Sequence, residues 1–214
     1  MDAYQTSNNS KKAVNLGRRS RVDVRKLTVT AMLSAIAFVL MFLDTAVPFM
    51  PSFIKLDLSE LPALIAAFAL GPVWGVAVCF IKNILHLFMT TTGGVGELSN
   101  FILGVAFVLP AGLIYKHKKT KKNAIIGAIV GAVTMGLISF PSNLYVVYPF
   151  YYNFMPKEVI VEAYQALAPF ANLDSIEKCL LFFNAPFTFI KGMLSAVIAI
   201  LIYQPLRPLL KGNE

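Results

Sequence analysis

Four sets of polar side chains interrupt otherwise apolar runs, and their spacing is where chemistry could reside. In LFFNAPFTFIKGML, Asn184, Thr188 and Lys191 follow one another at helical intervals and share one helix face. Lys191 lies midway along an apolar run, where a bare cation costs about 2.5–3.5 kcal/mol on insertion scales. Such a lysine pairs with an acceptor, faces a cavity, or snorkels to the interface, and its depth argues against snorkelling. Asn143 stands beside Pro141 in ISFPSNLYVVY. The proline frees a carbonyl and bends the helix, so this asparagine suits a cavity wall or an interhelical hydrogen bond. Lys82, Asn83 and His86 form a third stripe, either a network within a bundle or a site. The fourth set follows the loop TTTGGVGE. Gly94 and Gly96 let backbone amides approach a ligand there, and Glu97 and Asn100 open the next helix.

Several activities are excluded on motif grounds. TGGVG lacks the Lys-Ser/Thr ending of a phosphate loop, and no GxxxxGK[ST], HExxH or GxSxG occurs. The chain cannot hydrolyse ATP alone, and no paired carboxylates suggest an enzyme. Cys79 and Cys179 each stand alone in apolar surroundings, so they read as packing residues, with no metal site or disulfide framework.

The elements that must position these side chains are membrane spans. Of 214 residues, 57% are hydrophobic and 14% charged, and the apolar residues come in long blocks. The expected fold is an all-α integral membrane protein, a bundle of six transmembrane helices. Spans are placed at 27–46, 61–70, 73–89, 98–115, 124–148 and 179–203, the second short for a crossing. Gly71-Pro72 makes a tight turn, PFMPSFIKLDLSE a structured outer loop, and VIVEAYQALAPF a short amphipathic helix at the interface. Tyr145, Tyr148, Tyr151 and Tyr152 read as an aromatic belt, with one or two rings available to stack on a ligand. Fourteen of the nineteen basic residues fall in 1–27, 116–122 and the C-terminal tail. That distribution puts both termini in the cytoplasm and explains the charge of +8 without nucleic acid. It also favours contact with anionic membrane lipid. The resulting division is a polar basic tail (1–24), a membrane domain (25–206) and a cytoplasmic tail (207–214).

KLDLSELPALIAAFALGPVWGV, IKNILHLF, GGVGELSNF and PFTFIKG, in that order, resemble the S components of energy-coupling factor transporters, and among them the riboflavin-specific type. The resemblance spans roughly residues 26–205. It implies a multi-pass protein of the bacterial cell membrane that captures riboflavin outside. It also implies a transmembrane coupling subunit and two cytoplasmic ATPase subunits as partners, with riboflavin as cargo and no cofactor. Carried over by motif, the ligand contacts are Asn143, Lys191, Asn100 and the outer loop at Phe53, Ile54 and Lys55. Thr188 stands where the family commonly has asparagine, and Asn184 is one turn earlier. The Ala31 and Ala35 pair on the first span matches the motif that contacts the coupling subunit. A cationic thiamine would prefer a carboxylate where Lys191 stands. The other readings are another vitamin on the same scaffold (thiamine, folate or biotin) or a solitary facilitator.

Overall fold

The computed structural model describes residues 24–211 apart from 49, 52–53, 91–92 and 154–155, with backbone alone for 204–211. Phe53 and the N-terminal tail therefore lie outside the described residues. Seven helices occur among those described. They are α1 (Val24–Phe42), α2 (Glu60–Ala69), α3 (Pro72–Leu87), α4 (Val95–His117), α5 (Lys121–Tyr151), α6 (Lys157–Leu167) and α7 (Ile176–Tyr203, continuing to Lys211). Four of them, α1, α4, α5 and α7, are long and apolar enough to cross a membrane.

The short second run has a physical explanation. All residues of α2 from Glu60 to Phe68 are buried, so this helix is wrapped by its neighbours instead of facing lipid. Its sequence, ELPALIAAFA, is apolar on every side, as a fully enclosed helix requires. Gly71 then turns the chain at φ 117°, a conformation that favours glycine, and Pro72 starts α3 where its missing N–H costs nothing.

Between α1 and α2 the loop contains a feature absent from the all-α expectation. Strands β1 (Thr45–Ala46) and β2 (Lys55–Leu56) pair antiparallel, and Lys55 Nζ bonds Asp44 at 2.8 Å beside them. This ladder delivers Asp57 to the top of the bundle. The predicted interfacial helix is α6. Its Ile160 and Tyr164 are buried in a cluster with Tyr148 of α5 and Ile176 and Leu180 of α7. A second, larger cluster runs through the middle, from Ala63 and Ala67 of α2 to Phe107, Ala128 and Ala199.

Candidate functional site

A cavity of about 240 Å³ opens where the start of α4, the later part of α5 and the first turns of α7 meet under the β1–β2 loop. Local helix geometry explains how the side chains reach it. Both α5 and α7 widen into a π turn, at Asn143–Val147 and Leu180–Asn184. The amide of Tyr148 bonds the Asn143 carbonyl, and that of Ala185 bonds the Leu180 carbonyl. In each case the next residue is a proline, Pro149 or Pro186. A proline ring collides with the carbonyl four residues earlier, and the widened turn relieves that collision. One asparagine therefore stands at each distortion, and both line the cavity.

Lys191 is the cavity's charged corner. Its Nζ bonds Asp57 Oδ2 at 2.7 Å and lies 3.4 Å from Glu60 Oε2. Glu60 Oε1 accepts from Lys82 at 3.0 Å, and Lys82 also donates to Ser59. The backbone amide and hydroxyl of Ser59 in turn bond Asp57. Burial pushes the Asp57 carboxyl upward. The charges of Lys191 and Lys82, with hydrogen bonds from Lys191 and Ser59, outweigh burial and hold it well below the usual carboxylate range. Two carboxylates face two ammonium groups, so the formal charges of the cluster cancel.

Asn143 donates from Nδ2 to the Ser139 carbonyl at 2.8 Å and to its Oγ at 3.1 Å. A carbonyl can only accept, which fixes the amide orientation and leaves Oδ1 as the acceptor toward the cavity. Ser139 Oγ reaches Thr188 Oγ1 at 3.0 Å, and Thr188 donates to the Asn184 carbonyl at 2.7 Å. The Thr188 hydroxyl is thus engaged on both sides. Asn184 accepts from Tyr164 Oη at 2.7 Å, and Tyr164 bonds Tyr148, so the α6 tyrosine sets the angle of this amide. Of the four tyrosines read as a belt, Tyr148 is buried and lines the cavity with Tyr151, Tyr152 is half-buried and Tyr145 is exposed.

Asn100, Gly96, Ile54 and Lys55 complete the lining among the residues singled out by sequence. Glu97 and Gly94 lie outside it. Glu97 bonds His86 Nδ1 at 2.7 Å and Thr90 Oγ1 at 2.9 Å, so its carboxylate closes the loop between α3 and α4. Gly94 holds φ 90° ahead of α4, a conformational role. The stripe on α3 divides into separate jobs. Lys82 joins the ion cluster, Asn83 bonds the Cys79 carbonyl at 2.7 Å, and His86 holds Glu97. Ala31 and Ala35 lie on the exposed face of α1, whereas Ser34 and Ala37 face inward.

Sequence reading missed Asp57, Ser59 and Glu60, which it had placed among the outer-loop residues. The signal that could have found them is charge balance: two lysines within apolar helices need counter-ions, and LDLSE holds acids beside the short α2.

Residues 25–203 match the family described as ECF transporter, substrate-specific component. The chain belongs to that family. This S component is 34% identical over 187 residues to the riboflavin transporter RibU of Staphylococcus aureus, covering 87% of this chain and 93% of that one. It is 33% identical over 190 residues to the riboflavin transporter FmnP of Bacillus subtilis, with 87% and 94% covered. Its fold superposes on the solved S component of a bacterial ECF transporter with a TM-score of 0.68 at 33% identity, over 87% and 97% of the two chains.

Proposed function

We propose that this S component binds riboflavin in the cavity beneath the β1–β2 loop and delivers it inward when docked on an ATP-driven coupling module. The observation that carries the reading is the chemistry of the lining. The net-neutral ion cluster suits an uncharged ligand, while apolar and aromatic groups such as Leu103, Met135 and Tyr151 suit a flat ring. An ammonium has three donors; Lys191 gives one to Asp57 and lies 3.4 Å from Glu60 Oε2, and a further donor serves a ring carbonyl. Asn143 Oδ1 accepts the ring's imide N–H. Asn184 contributes its remaining amide proton, with Tyr164 and Tyr148 orienting the amide and Thr188 beside it on the cavity wall. Asn100, Gly96, Ile54 and Lys55 face the ribityl end, and Glu97 and Gly94 shape the loop around it.

In this reading the chain crosses the bacterial membrane six times, with α2 and α3 as the two short passages and both termini in the cytoplasm. The exposed Ala31 and Ala35 let a helix of the coupling subunit approach α1 closely. Two ATPase subunits supply the energy that this chain's motifs do not. The test is an absorbance spectrum of the full chain purified in mild detergent from cells grown in rich medium. Flavin bands near one per chain are the expected result. A colourless protein that also fails to quench added riboflavin fluorescence would remove the flavin assignment and leave the family membership standing.

A further inference from the structure

A second cavity, of about 310 Å³, lies at the opposite end of the bundle, where α2 and α4 finish, α5 begins and α7 runs past. It belongs to no part of the site described above. Its floor is a cluster of three aromatic rings. Phe68 packs on Tyr115 at 4.9 Å and on Tyr203 at 5.7 Å between ring centroids. Tyr203 donates to the Phe68 carbonyl at 3.2 Å, and the two tyrosine hydroxyls lie 3.3 Å apart. Ile200 adds an aliphatic wall, and the rim carries the exposed Lys119 and Lys121. The first turn of α5 starts at Lys121, so the positive end of its dipole adds to the two ammonium charges.

We propose that this cavity binds the phosphate group of an anionic phospholipid. Two features combine here. A cationic rim recognises phosphate, and an apolar floor at a helix-end boundary accepts the glycerol and upper acyl carbons. A free phosphate would satisfy the rim but leave the aromatic floor unused. Within the basic segment 116–122, Lys119 and Lys121 line the cavity, whereas Lys116 and Lys122 do not. That separation distinguishes a built site from general attraction between a basic loop and an acidic membrane.

The experiment compares thermal unfolding of the full chain in neutral detergent with added phosphatidylglycerol, phosphatidylcholine or inorganic phosphate. Phosphatidylglycerol should raise the midpoint by about 3 °C over phosphatidylcholine, the order expected for a ligand near saturation. The double variant Lys119→Gln/Lys121→Gln should lose most of that increment, and the charge-matched Lys116→Gln/Lys122→Gln should keep it. Both pairs lie on exposed side chains, so each variant should fold. Equal loss in the two pairs, no preference for phosphatidylglycerol, or full protection by inorganic phosphate alone would each overturn the lipid site.

Discussion

The cavity end and the middle of the bundle are held together by opposite means. Lipid supplies no hydrophobic force between helices, so association must come from close packing or from polar bonds. The middle uses packing. A Cβ on Gly131 of α5 would stand 2.4 Å from the Phe107 carbonyl of α4, and one on Gly75 of α3 would stand 2.8 Å from the Ala63 carbonyl of α2. The backbones touch, leaving no room for a ligand. At the cavity end the ion cluster of Asp57, Glu60, Lys82 and Lys191 and the bonds among Asn184, Tyr148 and Tyr164 join the elements, beside the apolar cluster around Ile160 and Leu180. The difference shows what a binding cavity costs a membrane bundle: the packing given up there must be replaced by polar groups that satisfy one another.

This contrast can be broken from either side. Gly131→Leu attacks the packed middle and should destabilise by more than about 4 kcal/mol, so that little monodisperse protein survives purification. Survival with an unchanged midpoint would mean that α4 and α5 are less tightly apposed. Lys82→Met attacks the polar end by stranding the buried Glu60 and should destabilise by about 3–5 kcal/mol. Adding Glu60→Gln to it should recover part of that loss, which a purely steric effect of Lys82 would not show. Ala35→Leu touches neither region and should leave thermal stability and riboflavin binding unchanged while lowering uptake in cells. Parallel loss of binding would place this face inside the site instead of at a subunit contact.

The smallest effect concerns pH. Asp57 is held below its ordinary carboxylate value, so its contribution to stability is present above that value and vanishes only as pH falls through the depressed one. Unfolding midpoints should therefore lose nothing from Asp57 between about pH 7 and about pH 5. A decline with a midpoint in that window, abolished by Asp57→Asn, would show that the pairing with Lys191 is weaker than the geometry implies.

Much of this was legible in the chain. Apolar run lengths located the four long helices, and Gly71-Pro72 marked the α2–α3 turn. Helical spacing put Asn184, Thr188 and Lys191 on one face, because such spacing is a local property. Pairings across long stretches were not legible. Asp57 and Lys191 are 134 residues apart and meet through the loop that carries the β1–β2 ladder. Glu97 resembled a ligand group by its place after the glycines, yet its partner His86 lies on the preceding helix. The π turns were also hidden, since Pro149 and Pro186 signal a distortion without saying whether a helix kinks, breaks or widens. Burial of α2 on all sides could be read as a short span or a partial one until its neighbours were in place.

On the proposed reading, the cavity between α4, α5 and α7 holds riboflavin through Asn143. Fluorescence-quenching titration of the purified full chain with riboflavin, beside Asn143→Ala, is the decisive measurement. One riboflavin per chain is predicted, with affinity at least about tenfold weaker in the variant, as expected for one lost hydrogen bond in a dry site, and an unchanged unfolding midpoint without ligand. Equal affinity in the two proteins, or no quenching in either, would contradict it.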